Sequence, residues 1–106
     1  MRTCVFEAMA LNERFVVGRD EDTMVTVRGA VPAVVVQLPP TTTAGRTVVV
    51  DDPRDVERTL KIQTADYGAD ALRVVCTLDV RGAIREQFVF VRGYWQRRTE
   101  EKRDAQ

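Results

Sequence analysis

The chain has 106 residues, 44% of them hydrophobic and 30% charged, with a formal net charge of zero. That composition suits one globular domain rather than a disordered segment, and it lacks the basic surplus that phosphate neutralisation requires, so nucleic acid is not an expected partner. Neither histidine nor serine occurs, which removes histidine-based acid–base work, the Ser-His-Asp triad and the commonest zinc ligand set.

In chain order, the opening stretch MRTCVFEAMALNERF carries acidic Glu7 inside its apolar run, so it is not read as a signal peptide. Residues 1–14 are expected to form an N-terminal arm or edge strand. Residues 15–17 (FVV) read as a short strand, and GRDED at 18–22 as a turn. MVTVR at 24–28 alternates apolar and polar positions, the period-two signature of a strand with one buried face. AVVVQL at 33–38 and TVVV at 47–50 are continuous, β-branched runs too short for a buried helix, and each reads as a strand covered on both faces.

Between those runs lies PPTTTAGR. Pro39 and Pro40 cannot donate ladder hydrogen bonds, and each pushes the residue before it towards extended geometry. Gly45 then allows the chain to turn back. The segment reads as a rigid corner that costs little entropy, because the unfolded chain is already restricted there.

PRDVERTL at 53–60 has the form of one helical turn capped by Asp52. TLKIQ at 59–63 and residues 72–81 alternate again, and LDVRGAIRE at 78–86 reads as a hairpin about Gly82. IREQFVFVR at 84–92 is a further strand. The last residues, QRRTEEKRDAQ, form a mixed-charge tail, with 98–106 lying outside a β-domain of residues 15–97. No segment approaches the run of ~18 apolar residues that spans a membrane, so no membrane partner is expected.

The fold expectation is therefore all-β: an antiparallel β-sandwich or barrel-like domain of about eight strands. Leu72, Val74, Cys76, Leu78, Phe88 and Phe90 are expected in the core. Val34, Val36, Leu38, Val48 and Val50 are expected on inner faces or on a face shared with another subunit, since a domain of this size is often completed by a partner chain.

Candidate chemistry is sparse. Asp20, Glu21 and Asp22 offer oxygens to a hard cation but lack the spaced ligand set of a calcium loop, so they read as a solvated turn. Asp51, Asp52, Asp55 and Glu57 contain carboxylates of the type that cleave glycosidic bonds, but read first as a cap with surface charge. Tyr94 and Trp95 suit either sugar stacking or core anchoring, with Trp95 assigned to the core. Arg97, Arg98 and Arg103 are interleaved with Glu100, Glu101 and Asp104, as in a solvated face. Cys4 and Cys76 read as two small buried side chains in a reducing compartment rather than a disulfide. No catalytic residue, cofactor site or metal site is assigned, and the chain is not expected to be an enzyme.

The segment from Asp22 to Asp51 resembles a small β-domain found in bacteriophage tail fibres, head fibres and related virion proteins. The residues that carry the resemblance are the acidic turn 20–23, Gly29, an alternating strand ending in Leu38-Pro39-Pro40, and Gly45-Arg46-Thr47 opening the next strand. Leu60-Lys61-Ile62 is similar to one of its later strands, and FVFVRGYW at 88–95 is similar to its closing hairpin, in which Gly and Trp, here Gly93 and Trp95, precede the final strand. The loops DDPRDVERT and TADYGADALR depart from the Asp-Gly-rich loops of that family, so no ligand site is carried over. The resemblance implies a homotrimeric virion protein assembled in the host cytoplasm. Its expected role is capsid decoration (a cement protein contacting the major capsid protein) or, alternatively, a short head- or tail-fibre domain that binds a receptor or glycan.

Overall fold

The computed structural model describes residues 1–18, 21–53, 57–65 and 72–98. These form nine strands: β1 (Arg2–Glu7), β2 (Glu13–Val16), β3 (Thr23–Arg28), β4 (Ala33–Leu38), β5 (Thr47–Asp52), β6 (Glu57–Ala65), β7 (Leu72–Arg81), β8 (Ile84–Val91) and β9 (Tyr94–Arg98). No helix occurs among the described residues. One sheet has the order β1-β3-β5-β8-β9 and the other β2-β4-β6-β7.

The all-β expectation holds, but the sheets are mixed rather than antiparallel. β1/β3, β3/β5, β2/β4 and β4/β6 pair in parallel, while β5/β8, β6/β7 and β8/β9 are antiparallel. The physical reason lies in the corners. Through β6 the chain crosses to the opposite sheet after every strand, so each strand pair makes one flattened coil and successive coils stack in parallel. Parallel strands need a crossover; here a strand of the facing sheet serves as that crossover. Period-two patterning reports which face is buried and is silent on the direction of the neighbour.

The same logic corrects two local expectations. Residues 78–86 are not a hairpin: β7 and β8 belong to different sheets, and Gly82, at φ 132°, turns the chain across the core. The true hairpin is β8–β9, whose two connecting residues, Arg92 (φ 56°) and Gly93 (φ 82°), both take the positive φ of a type I′ turn. Glu57 to Leu60 are not helical but open β6, and residues 54–56 of the expected turn lie outside the described residues.

The core fills the space between the sheets. Val34, Val36 and Leu38 of β4 meet Val48 and Val50 of β5, together with Val25, Val27, Leu60, Ile62 and Phe88, all essentially inaccessible to solvent. The five residues expected on an inner or shared face therefore lie on the inner faces of a single chain. Phe88 and Phe90 are in the core as expected, and Cys76 and Leu78 pack partly buried against it. Val74 is not: it is 51% exposed. Ile62 pairs with Cys76 but Gln63 pairs with Val74, so Val75 is an extra residue in β7. A bulge of this kind reverses the in–out alternation beyond it. The side chain of Leu72 lies outside the description.

One end of the sandwich is closed by a buried ion pair. Arg58 Nε donates to Asp52 Oδ2 at 2.7 Å, Nη1 to the Val31 carbonyl at 3.1 Å and Nη2 to the Gly29 carbonyl at 2.7 Å. Both side chains are 0% exposed. Asp52 is thus a buried anchor and not a helix cap.

Two outcomes test this architecture. Val36→Asp places an unpaired charge between the sheets and is expected to abolish the cooperative thermal transition in circular dichroism; a soluble variant with a wild-type melt would refute the placement. Arg58→Ala strands a buried carboxylate and is expected to cost about 3–5 kcal/mol in denaturant unfolding, whereas replacing Arg58 and Asp52 together with Met and Leu is expected to recover only the part owed to the stranded charge, because the Gly29 and Val31 carbonyls still lose their donors.

Candidate functional site

The Pro-Pro corner is tied down at several points. Trp95 is buried, stacks edge-on to Phe90 at 5.4 Å, and donates from Nε1 to the Pro39 carbonyl at 2.7 Å. That is the core-anchor role, with the indole N–H given a backbone acceptor. Gly45 (φ 90°) donates its N–H to the Phe90 carbonyl, and the Phe90 N–H returns to the Arg46 carbonyl. Asp22 accepts the Thr47 N–H at 2.9 Å and lies 3.7 Å from Arg46 Nε. Asp22 is therefore spent on holding the corner, Glu21 is exposed, and Asp20 lies outside the described residues.

The second acidic cluster does not converge either. Asp51 and Asp52 are strand neighbours and point to opposite faces. Asp52 is buried against Arg58, while Asp51 meets Arg85 at 3.4 Å on the surface. Glu57 is exposed, and Asp55 lies outside the described residues. Among the described residues, no three Cys, Asp or Glu side chains gather in the manner of a metal site.

Tyr94 is 55% exposed, with the Arg73 guanidinium 5.3 Å above its ring. Arg97 pairs with Glu86 at 2.9 Å, and Arg98 is exposed; Arg103 lies outside the described residues. Cys4 and Cys76 are free thiols. Burial pushes the Cys76 thiol above its ordinary range, Arg97 partly opposes this, and Glu86 adds to it.

What the structure gathers is an apolar flank that the sequence reading did not single out. β1 and β2 are the free edges of their sheets on the same side of the sandwich. Phe6 and Phe15 join them across the interior, with ring centroids 5.4 Å apart. Around them lie Met1, Val5, Met9, Leu11 and Val16, five of the seven large apolar side chains that are markedly exposed among the described residues. Edges this apolar invite another chain. On the opposite side, β7 is bulged and turns Thr77, Asp79 and Arg81 outward beside Val74, and β9 carries Gln96 and Arg98 beside Tyr94, so polar and charged side chains guard those edges.

The connection between β1 and β2 is rigid despite its exposure. Glu13 Oε1 accepts the N–H groups of Met9 (2.7 Å) and Ala10 (3.1 Å). Backbone bonds run from Ala8 N to Arg28 O and from Asn12 N to Ala33 O, and Asn12 takes φ 62°. Gly29 passes so close that a Cβ there would run into the Ala8 carbonyl oxygen. Met9 and Leu11 are thereby held out at 82% and 63% exposure. At the other end of the same flank, a cleft of 270 Å³ opens between the two edges, lined chiefly by Cys4, Phe15, Val16 and Val17, with Arg2 and Glu21 contributing charge.

No known protein family, curated protein or solved structure matches this chain.

The thiol at position 76 supplies a pH test. Its folded pKa is raised, so the stability gained by keeping it neutral is fully present below the ordinary thiol range and is lost as pH rises through the raised value. Thiolate absorbance of a Cys4→Ala variant is expected to titrate at higher pH in the folded than in the urea-unfolded protein.

Proposed function

We propose that the chain is a structural protein of a bacteriophage virion that works by protein–protein contact, as a capsid decoration or cement protein. The observation that carries the contact role is the rigid, apolar first-coil flank set against guarded edges on the other side. The virion setting rests on the resemblance of residues 22–51 and 88–95, which also implies self-association, with three chains around an axis. The valine and leucine side chains at 34, 36, 38, 48 and 50 are closed inside one chain, so any contact between copies falls on exposed surface.

The test is composition. Gradient-purified phage particles from the host that carries this gene are expected to contain the chain in many copies per particle by quantitative mass spectrometry. Particles that lack it would remove the decoration role.

The exposed Tyr94 ring favours a second reading, a fibre domain that binds glycan through that ring once Arg73 moves aside. Binding on a glycan array that is lost in Tyr94→Ala would select that reading over the first.

A further inference from the structure

We infer that the β7–β9 side of the sandwich takes a carboxylated saccharide, such as a uronic or sialic acid unit, whose ring face stacks on Tyr94 and whose carboxylate is gripped by the Arg73 guanidinium. The inference rests on the glycan reading given above and names the class of sugar that its site would select.

Three observations at one place lead to it. The first is that Tyr94 and Arg73 come from different sheets and meet at the edge. β7 ends the four-stranded sheet, β9 ends the five-stranded one, and the two strands lie in contact. Arg73 pairs with Thr64, whose side chain is buried, so it leaves β7 on the inner side and reaches across the gap between the sheets. Its guanidinium comes to rest 5.3 Å from the centroid of the exposed Tyr94 ring. A cation over an aromatic face is a favourable contact, but a weak one at an exposed site.

The second is what Arg73 lacks. Among the described residues the ring is its partner, and it makes no hydrogen bond and no ion pair. Its planar fork of N–H donors is therefore unspent, in the arrangement that matches both oxygens of a carboxylate. β7, β8 and β9 offer it no carboxylate in reach. β9 carries none, Glu86 of β8 is held by Arg97, and Asp79 of β7 stands six residues away, roughly 20 Å along the strand.

The third is rigidity. Tyr94 opens β9 directly after the turn at Arg92 and Gly93, and its neighbour Trp95 is tied into the core through the Pro39 carbonyl. The ring is thus presented from a fixed backbone, which leaves little to be ordered on binding. Gln96 stands on the same face of β9, about 7 Å further along, and is exposed. Its amide brings donors and an acceptor for sugar hydroxyls.

These features select among ligands. A neutral sugar would use the ring but displace the guanidinium without giving it a new partner. A bare inorganic anion would use the guanidinium and ignore the ring. A carboxylated sugar uses both. As it binds, Arg73 exchanges a weak contact with the ring for a bidentate pair with the carboxylate, and the ring face is freed for the sugar. A nucleic acid also joins a flat ring to an anion, but the zero formal net charge supplies no phosphate-neutralising surplus.

The experiment has two stages. The full chain is applied to an array of neutral, carboxylated and sulfated glycans. It is then titrated by NMR with a uronic-acid oligosaccharide and with the same oligosaccharide after carboxyl reduction. The wild type is expected to bind the carboxylated form at least about tenfold more tightly than the reduced one, and less tightly as salt is raised. Tyr94→Ala and Arg73→Gln are each expected to lose that binding with an unchanged circular dichroism spectrum, since both side chains are exposed. Arg73→Lys is expected to restore little of it, because an ammonium keeps the charge without the fork. Arg98→Gln removes a nearby charge outside the pair and is expected to keep the preference. Binding of neutral glycans that Tyr94→Ala loses and Arg73→Gln keeps would overturn this inference and leave the glycan reading standing. Equal affinity for the carboxylated and reduced forms, or full rescue by Arg73→Lys, would do the same. No binding to any glycan would overturn both.

Discussion

The contact on which the rest of this fold leans is the buried pair between Arg58 and Asp52. A chain that changes sheets after every strand has to carry its backbone across the open end of a sandwich, where no ladder exists to receive it. At the β3–β4 corner the carbonyls of Gly29 and Val31 are left in that position. A guanidinium supplies several donors in a rigid planar fork, and Arg58 spends them on those two carbonyls and on Asp52. One side chain thus ties the end of β5, the start of β6 and the preceding corner together. The pair contributes less as an attraction than as a solution to otherwise unmade hydrogen bonds, and it is correspondingly costly to break from one side.

The opposite end is closed differently. There the Pro-Pro corner brings its own stiffness, and a single indole N–H reaching the Pro39 carbonyl locks it to the β8–β9 hairpin. Arg46 lies nearby with Nη1 buried and without a partner, as Asp52 Oδ1 is at the first end, so each end keeps one unsatisfied polar atom. The two ends together explain why so small a chain holds a compact sandwich without disulfides: each coil is stapled where it crosses, and the valines of β3, β4 and β5 fill the space between.

Strand positions were largely legible in the sequence. Residues 33–38 form β4 with the bounds that the β-branched run suggested, and Gly93 marked a true hairpin. Pairing direction was hidden, because alternation says which side chains are covered and nothing about where the next strand lies. Val74 was misplaced for a related reason: a single extra residue at Val75 inverts the alternation, and nothing in LRVVCTLDVR announces it. Asp52 looked like a cap because Asp-Pro is common turn chemistry, while its partner Arg58 becomes visible only when the corner brings both inside. The apolar flank was obscured in the same way. Met9 and Leu11 sit in a loop of residues usually found in cores, and their exposure follows from a hydrogen-bonded pin at Glu13 that no period reveals.

The stacked coils have a consequence for how such a domain changes length. Each two-strand coil through β6 offers its successor the same pair of parallel edges that it received from its predecessor. The edges shown by β1 and β2 are thus equivalent in kind to those that β3 and β4 would show if the first coil were removed. A duplication or loss of one coil at that side alters the size of the stack without disturbing the ion pair, the Pro-Pro corner or the closing hairpin. The architecture is open to growth by whole units on one side and sealed by the antiparallel strands on the other.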